Sequence, residues 1–295
     1  MRRPFLRKNS LKNQNNNFSQ FAGGNVDAHF YHASGFPVGV YHPFLERLSK
    51  KLNINALHLR PTWTQPGPIP KDRSWEIYAN DLIEFIETTY QHPIIAIGHS
   101  LGASSTVLAA RKRPDLFKAL VLIESTQVPK LTSRLIRLAP KRLLMNFNPA
   151  RNSIKKKSRW SSREDFISEY RKNRAYKRID DQSLDYFKAH AVRDAEAGGV
   201  ELVYPTAWET ISYMGPPFLM DTLCKLDVPM VAVRGKPSVF LSDESWRKWQ
   251  KNSPGTVFKE NLNYGHLFPI EAPEICANLV IEGLEELNLL GSKEF

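Results

Sequence analysis

The sequence predicts an α/β protein whose mostly parallel, doubly wound sheet, with helices on both faces, is interrupted by a helical insertion. Three observations carry that expectation. Segments of strand character alternate with segments of helical spacing through residues 25–126. Two of the strand candidates, PIIAIG and KALVLIE, are continuous apolar runs, as central strands of a parallel sheet covered on both faces require. A long stretch of different character then follows, and VPMVAVRG (228–235) resumes the strand signal.

Taken in order, the opening MRRPFLRKNSLKNQNNNFSQF is basic and lacks the apolar core and small-residue cleavage site of a secretory signal, so residues 1–24 are expected to be a flexible basic tail. NVDAHFYHAS (25–34) and LNINALHLR (52–60) read as strands, the first ending in a turn and the second in a proline-rich loop. YHPFLERLSKKL between them has helical spacing and completes a strand–helix–strand unit. The segment 74–90 repeats the pattern, with Trp75, Ile77, Tyr78, Leu82, Phe85 and Ile86 on one side and Ser74 as N-cap. A further helix lies between the two apolar runs and closes at Arg113-Pro114. Beyond residue 228 come a helix around DESWRKWQ, a strand at TVFKENL and a last helix from Ala272. The expected organisation is a core of residues 25–126 and 227–295 with a helical cap at 127–226.

A net charge of +11 and a pI near 9.6 favour an anionic ligand, nucleic acid or membrane surface. Between Pro129 and Arg178 there are sixteen Lys or Arg against three acids, with Leu131, Leu135, Ile136, Leu138, Leu143, Leu144, Met145 and Phe147 forming an apolar side. This basic lid is read as a solvated face, a site for an acidic or carrier-linked acyl substrate, or a contact for an anionic membrane. No recognised nucleic-acid-binding module is visible. Two cysteines, Cys224 and Cys276, are too few for a disulfide framework and point to a reducing, cytoplasmic location. They form no metal-ligand cluster, and no cofactor is expected.

The chemistry is carried by IIAIGHSLGASS (94–105), which runs from a strand through GHSLG into a helix. A side chain at Gly98 or Gly102 would collide with neighbouring backbone in so sharp a turn, which presents Ser100 above the sheet edge at a helix N-terminus. A serine hydroxyl needs a base to act as a nucleophile. NLNYGHLFPIEAPE supplies His266 in a loop between the last strand and the last helix.

HASGFP, GHSLGA and NYGHLFPIEAPE, in that order, resemble the motifs of the α/β-hydrolase fold superfamily in its cap-bearing serine hydrolase branch. The resemblance covers most of the chain from residue 25 outside the insertion. It implies a Ser100–His266–acid triad and an oxyanion hole from the Phe36 and Leu101 backbone N–H groups. His32 and Gly35 are two residues further apart than in the family's HGF pattern, which leaves Ser34 or Gly35 as alternative donors. Ser238 occupies the family's usual position for the acid. Glu124 at the end of LVLIE is the candidate instead, with Asp243 the alternative. Trp208, Tyr213, Met214, Phe218 and Leu219 are expected to line an acyl pocket. Serine in place of the aspartate of haloalkane dehalogenases and epoxide hydrolases implies cleavage of a carboxylic ester or thioester. Carbon–carbon bond hydrolysis, perhydrolysis and a non-catalytic binding or adaptor protein on the same scaffold are the alternatives.

Overall fold

The computed structural model describes residues 17–290. Seven strands form one sheet: β1 (Phe18–Phe21), β2 (Val26–Tyr31), β3 (Leu52–Leu57), β4 (Ile94–His99), β5 (Phe117–Ile123), and, after the insertion, two more at Met230–Gly235 and Val257–Asn261. Only β1 is antiparallel, pairing with β3; the other strands are parallel. Helices α1 (His42–Ser49), α2 (Glu76–Thr89) and α3 (Leu101–Lys112) connect the first strands. The N-cap of α2 is Trp75, one residue beyond the expected Ser74, whose hydroxyl accepts from the Glu76 N–H at 3.2 Å. The apolar runs behave as their composition requires: Ile95, Ile97, Val121 and Val231 enter the core on one face, and Ile94, Ala96, Leu120 and Ala232 enter it on the other.

The flexible tail expected over residues 1–24 does not hold for Phe18–Phe21. Residues 1–16 lie outside the described residues, but Phe18–Phe21 is an edge strand. Its two aromatics hold it: Phe18 packs on Phe85 with ring centres 5.4 Å apart, and Phe21 packs edge-on against His42 at 5.3 Å. Its four residues, Phe-Ser-Gln-Phe, show no period-2 alternation, so the segment carries no strand signal of its own.

The insertion is not wholly helical. It contains α4 (Lys130–Leu138), α5 (Lys141–Leu144), α6 (Ala150–Ile154), α7 (Arg163–Lys172), α8 (Asp181–His190), α9 (Thr206–Ser212) and α10 (Met220–Leu223). Between these lie three short strands, β6 (Arg159–Trp160), β7 (Val192–Asp194) and β8 (Val200–Leu202), in an antiparallel sheet. Strands this short show no readable alternation. The chain then returns to the main sheet through β9 (Met230–Gly235), α11 (Asp243–Asn252), β10 (Val257–Asn261), α12 (Phe268–Glu271) and α13 (Pro273–Glu286).

The main sheet has the order β1-β3-β2-β4-β5-β9-β10. The chain moves one way from β2 to β3 and the other way from β4 onward, so the order reverses between β2 and β4. In open parallel sheets the crevice at that reversal, beyond the carboxyl ends of the strands, is where ligands bind. Three histidines near it are buried. Burial holds the His29 and His32 imidazoles down to about 3, and pushes that of His99 well below its ordinary range. Such a group takes up no proton in the folded protein at pH 5, whereas in the unfolded chain it does so below about 6.5. Stability is therefore full above pH 6.5 and is lost as the pH falls toward 3, at up to about 1.4 kcal/mol per pH unit for each histidine. Urea unfolding between pH 4.5 and 8 checks this: the free energy stays flat above pH 7 and declines below 6.5, and the decline is shallower in His29→Gln. An equally steep decline in that variant would contradict the assignment.

Candidate active site

Ser100 sits between β4 and α3 with φ +54° and ψ −114°, a conformation that L-residues rarely adopt. The flanking glycines permit it. A Cβ at Gly98 would lie 2.5 Å from the Ala103 Cα, and one at Gly102 would lie 2.1 Å from the Tyr31 carbonyl oxygen. The Ser100 N–H donates to the Ile123 carbonyl at 2.9 Å, which ties the turn to β5.

Glu124, the residue after β5, also has a positive φ (+48°). Its N–H donates to the Val233 carbonyl at 2.8 Å, and its carboxylate is fully buried. Burial of an ionised carboxylate is costly unless its lone pairs are occupied. Here they are: Oε1 accepts from the Gly235 N–H at 2.8 Å, while Oε2 takes the Ser238 hydroxyl and lies 2.9 Å from His266 Nδ1. Ser238, at the family's usual position for the acid, thus donates to the Glu124 carboxylate. The Leu241 N–H donates to Ser238 Oγ at 3.1 Å, leaving the hydroxyl proton for Glu124.

The other ring nitrogen of His266, Nε2, is 2.9 Å from Ser100 Oγ. A carboxylate can only accept, so Nδ1 carries the proton and Nε2 presents its lone pair to the serine hydroxyl. Such a chain of groups polarises a hydroxyl toward nucleophilic attack. Phe240 packs against the imidazole at 4.5 Å between ring centres. Asp243, the alternative acid, is not part of this chain. It opens α11, pairs with Arg234 and lies 3.0 Å from Lys236, and the Arg234 hydrogen bond holds its carboxyl down to about 2.

Two residues that sequence reasoning left without a role bind these parts together. His99 Nε2 donates to the His266 carbonyl at 2.8 Å, and its Nδ1 accepts from the Tyr41 hydroxyl at 2.8 Å. Tyr41 in turn accepts from the Ala33 N–H at 3.2 Å. One buried polar chain therefore connects the turn after β2, the serine turn and the histidine loop. The Gly265 N–H donates to Glu271 at 2.7 Å, which anchors the same loop from its far side. GHS and PIEAPE were the visible signals, but partners so far apart in the chain carry no local pattern.

The oxyanion expectation needs correction. The Phe36 N–H donates to the Ala33 carbonyl at 3.3 Å and closes a β-turn, with Gly35 at φ +82° in its third position. Glycine there is what a type II turn requires, and the turn accommodates the longer His32–Gly35 spacing. Among the described residues, the amides of Ser34, Gly35 and Leu101 have no hydrogen-bond partner. Helix α9 lies against this turn: Ser34 Oγ is 3.0 Å from Ser212 Oγ, and a Cβ at Gly35 would be 3.1 Å from Glu209 Oε1.

The five expected pocket residues separate. Trp208 and Leu219 are buried in the core, and Met214 is buried as well. Phe218 borders a small cleft beside Trp75, Lys130 and Arg134. Tyr213 alone of the five lines the large cavity of the insertion, and it stacks on Phe240 at 6.4 Å. Apolar residues on short cap helices serve packing first, because burying them is what holds the insertion on the core.

The sequence profile of the alpha/beta hydrolase family matches residues 24–279. The chain belongs to that family. A 2-(acetamidomethylene)succinate hydrolase of Mesorhizobium japonicum is 33% identical over 99 residues, covering 33% of this chain and 34% of the relative. A type I acyl-CoA thioesterase of Penicillium brevicompactum is 28% identical over 187 residues, covering 55% of this chain and 39% of the relative. The chain thus spans between a third and two fifths of the length of these relatives. The crystal structure of an E-2-(acetamidomethylene)succinate hydrolase superposes with a TM-score of 0.76 at 20% identity, over 91% of this chain and 94% of that one. The fold is therefore that of the alpha/beta hydrolases, and among the described residues no helix is long and apolar enough to cross a membrane.

Proposed function

We propose that this alpha/beta hydrolase is a serine esterase or thioesterase working through an acyl-enzyme. The observation that carries the reading is the continuous chain from Ser100 Oγ through His266 to the buried Glu124. His266 Nε2 takes the serine proton as Oγ attacks the substrate carbonyl, and Glu124 stabilises the resulting imidazolium. The tetrahedral oxyanion is held by the Leu101 amide together with that of Ser34 or Gly35. Loss of one such donor typically costs about 3 kcal/mol in the transition state. The imidazolium then protonates the leaving alcohol or thiol. In the second half, His266 deprotonates a water that attacks the acyl carbonyl, and collapse returns the proton to Ser100. The names of the hydrolase and thioesterase relatives support acyl cleavage without choosing the acyl group.

The test is covalent: a fluorophosphonate is expected to add one label per chain, mapping to the peptide of Ser100. A folded protein that stays unlabelled would favour a non-catalytic binding protein on this scaffold.

A second reading concerns the outer face of α4–α6. Leu131, Leu135 and Leu138 are 68%, 59% and 83% exposed, and Phe147 is 60% exposed. No acid occurs from Ser125 to Arg163, and Arg134, Arg137, Lys141, Arg142 and Arg151 have no ion-pair partner among the described residues. Protruding aliphatic side chains set among unpaired cations suit the surface of an anionic bilayer, where each cation adds about 1 kcal/mol. Co-sedimentation with phosphatidylserine-containing vesicles at low salt is expected, with loss of binding in Leu131→Ser/Leu135→Ser/Leu138→Ser. No sedimentation, or equal binding of that variant, removes the reading.

A further inference from the structure

We propose that the cavity inside the insertion binds a phosphate-bearing part of the acyl substrate, as in the leaving thiol of an acyl-CoA, and so sets specificity. This deepens the hydrolase reading and rests on it. The cavity opens to solvent and offers about 700 Å³, a volume suited to a group of nucleotide or pantetheine size. Four lysines line it: Lys155, Lys156, Lys157 and Lys172. Two glutamates also line it, and each is already paired: Glu209 with Lys156 at 3.0 Å and Glu169 with Lys157 at 3.2 Å. Lys155 and Lys172 have no carboxylate within ion-pair distance among the described residues, so the cavity wall keeps unspent positive charge.

Unpaired ammonium groups gathered along one wall call for a ligand that carries negative charge and acceptor oxygens. Lysine binds phosphate as a rotatable point charge with three donors.

The cavity lies one side-chain layer from the reacting groups. Glu209, on its wall, touches the turn that carries the Ser34 and Gly35 amides. Tyr213, also on its wall, stacks on Phe240, which covers His266. A phosphate held by the lysines would therefore keep an extended thiol arm directed at Ser100. The paired Lys156 and Glu209 would couple occupancy of the cavity to the position of the oxyanion turn.

The experiment is calorimetric titration of full-length Ser100→Ala protein with coenzyme A, with pantetheine, which has the same thiol arm without phosphate, and with glutarate. Coenzyme A is expected to bind at least tenfold more tightly than pantetheine. That affinity should fall at least tenfold in Lys155→Gln/Lys172→Gln, with thermal melts reporting that the variant folds. Equal affinity for coenzyme A and pantetheine, or affinity untouched by these substitutions, overturns the proposal. Glutarate binding that depends on the lysines, in the absence of coenzyme A binding, overturns the phosphate assignment and makes the ligand a carboxylate. Turnover of p-nitrophenyl acetate by the wild type separates the two readings. If it is cleaved while coenzyme A fails to bind, the hydrolase reading stands alone. If coenzyme A binds while no ester or thioester is cleaved, the cavity is a coenzyme A site on a non-catalytic scaffold, and the substrate assignment falls with the hydrolase reading.

Discussion

Ser100→Ala lowers kcat by about 10⁵- to 10⁶-fold on any ester that the wild-type protein hydrolyses, and His266→Ala does nearly the same. The two losses are expected to be similar and non-additive, because the serine without its base and the base without its serine are both incapable of forming the acyl-enzyme. The 2.9 Å separation of Oγ and Nε2 is what makes them one unit. KM should change little, since neither side chain is needed for ground-state binding of the acyl group. Steady-state kinetics with p-nitrophenyl esters and intact-mass detection of an acyl-enzyme check both points. A Ser100→Ala protein that retained more than about one hundredth of wild-type turnover would show that another group is the nucleophile.

Glu124→Gln is the second large effect, a fall in kcat of about 10³- to 10⁴-fold. The amide is nearly isosteric, but it presents a nitrogen with protons to one of the groups now facing an acceptor oxygen. The His266 Nδ1–H loses the charge that fixes its tautomer and stabilises the imidazolium, while the Gly235 N–H and Ser238 hydroxyl compete for the single remaining oxygen. Ser238→Ala should cost about tenfold, the magnitude of one lost hydrogen bond to a charged group. Asp243→Asn should leave turnover within about twofold, because its carboxylate spends itself on Arg234 and Lys236 at the start of α11. Measuring kcat for the three variants side by side decides the matter: if Asp243→Asn is the more damaging, Glu124 is not the acid.

Much of this was legible before any coordinates. The continuous apolar runs announced β4 and β5 as central strands, and the glycines of GHSLG announced the turn at Ser100, because both constraints act within a few residues. A side chain at Gly98 or Gly102 has nowhere to go whatever the rest of the molecule does. The contact of Glu124, rather than Asp243, with His266 was also accessible, since a glutamate directly after LVLI must find a partner in the interior. Where the sequence misled, the relevant signal was short or borrowed. The four residues of β1 hid behind a polar run, and Trp208 and Leu219 are buried side chains, a state that cap packing and pocket lining share.

What the sequence by itself determined, then, is the alternation that builds the sheet, the strained serine turn, and the presence of one histidine and one acid at the ends of the right elements. Tertiary structure alone decided which groups meet. The Glu124–Gly235 contact spans 111 residues, and the His99–His266 contact spans 167. The insertion brought Glu209 and Ser212 against the turn after β2, and it gathered four lysines around one cavity. The physical reason is range. Hydrophobic period and glycine sterics are properties of neighbouring residues, whereas a hydrogen bond between distant segments depends on how whole layers pack, and no local pattern records that.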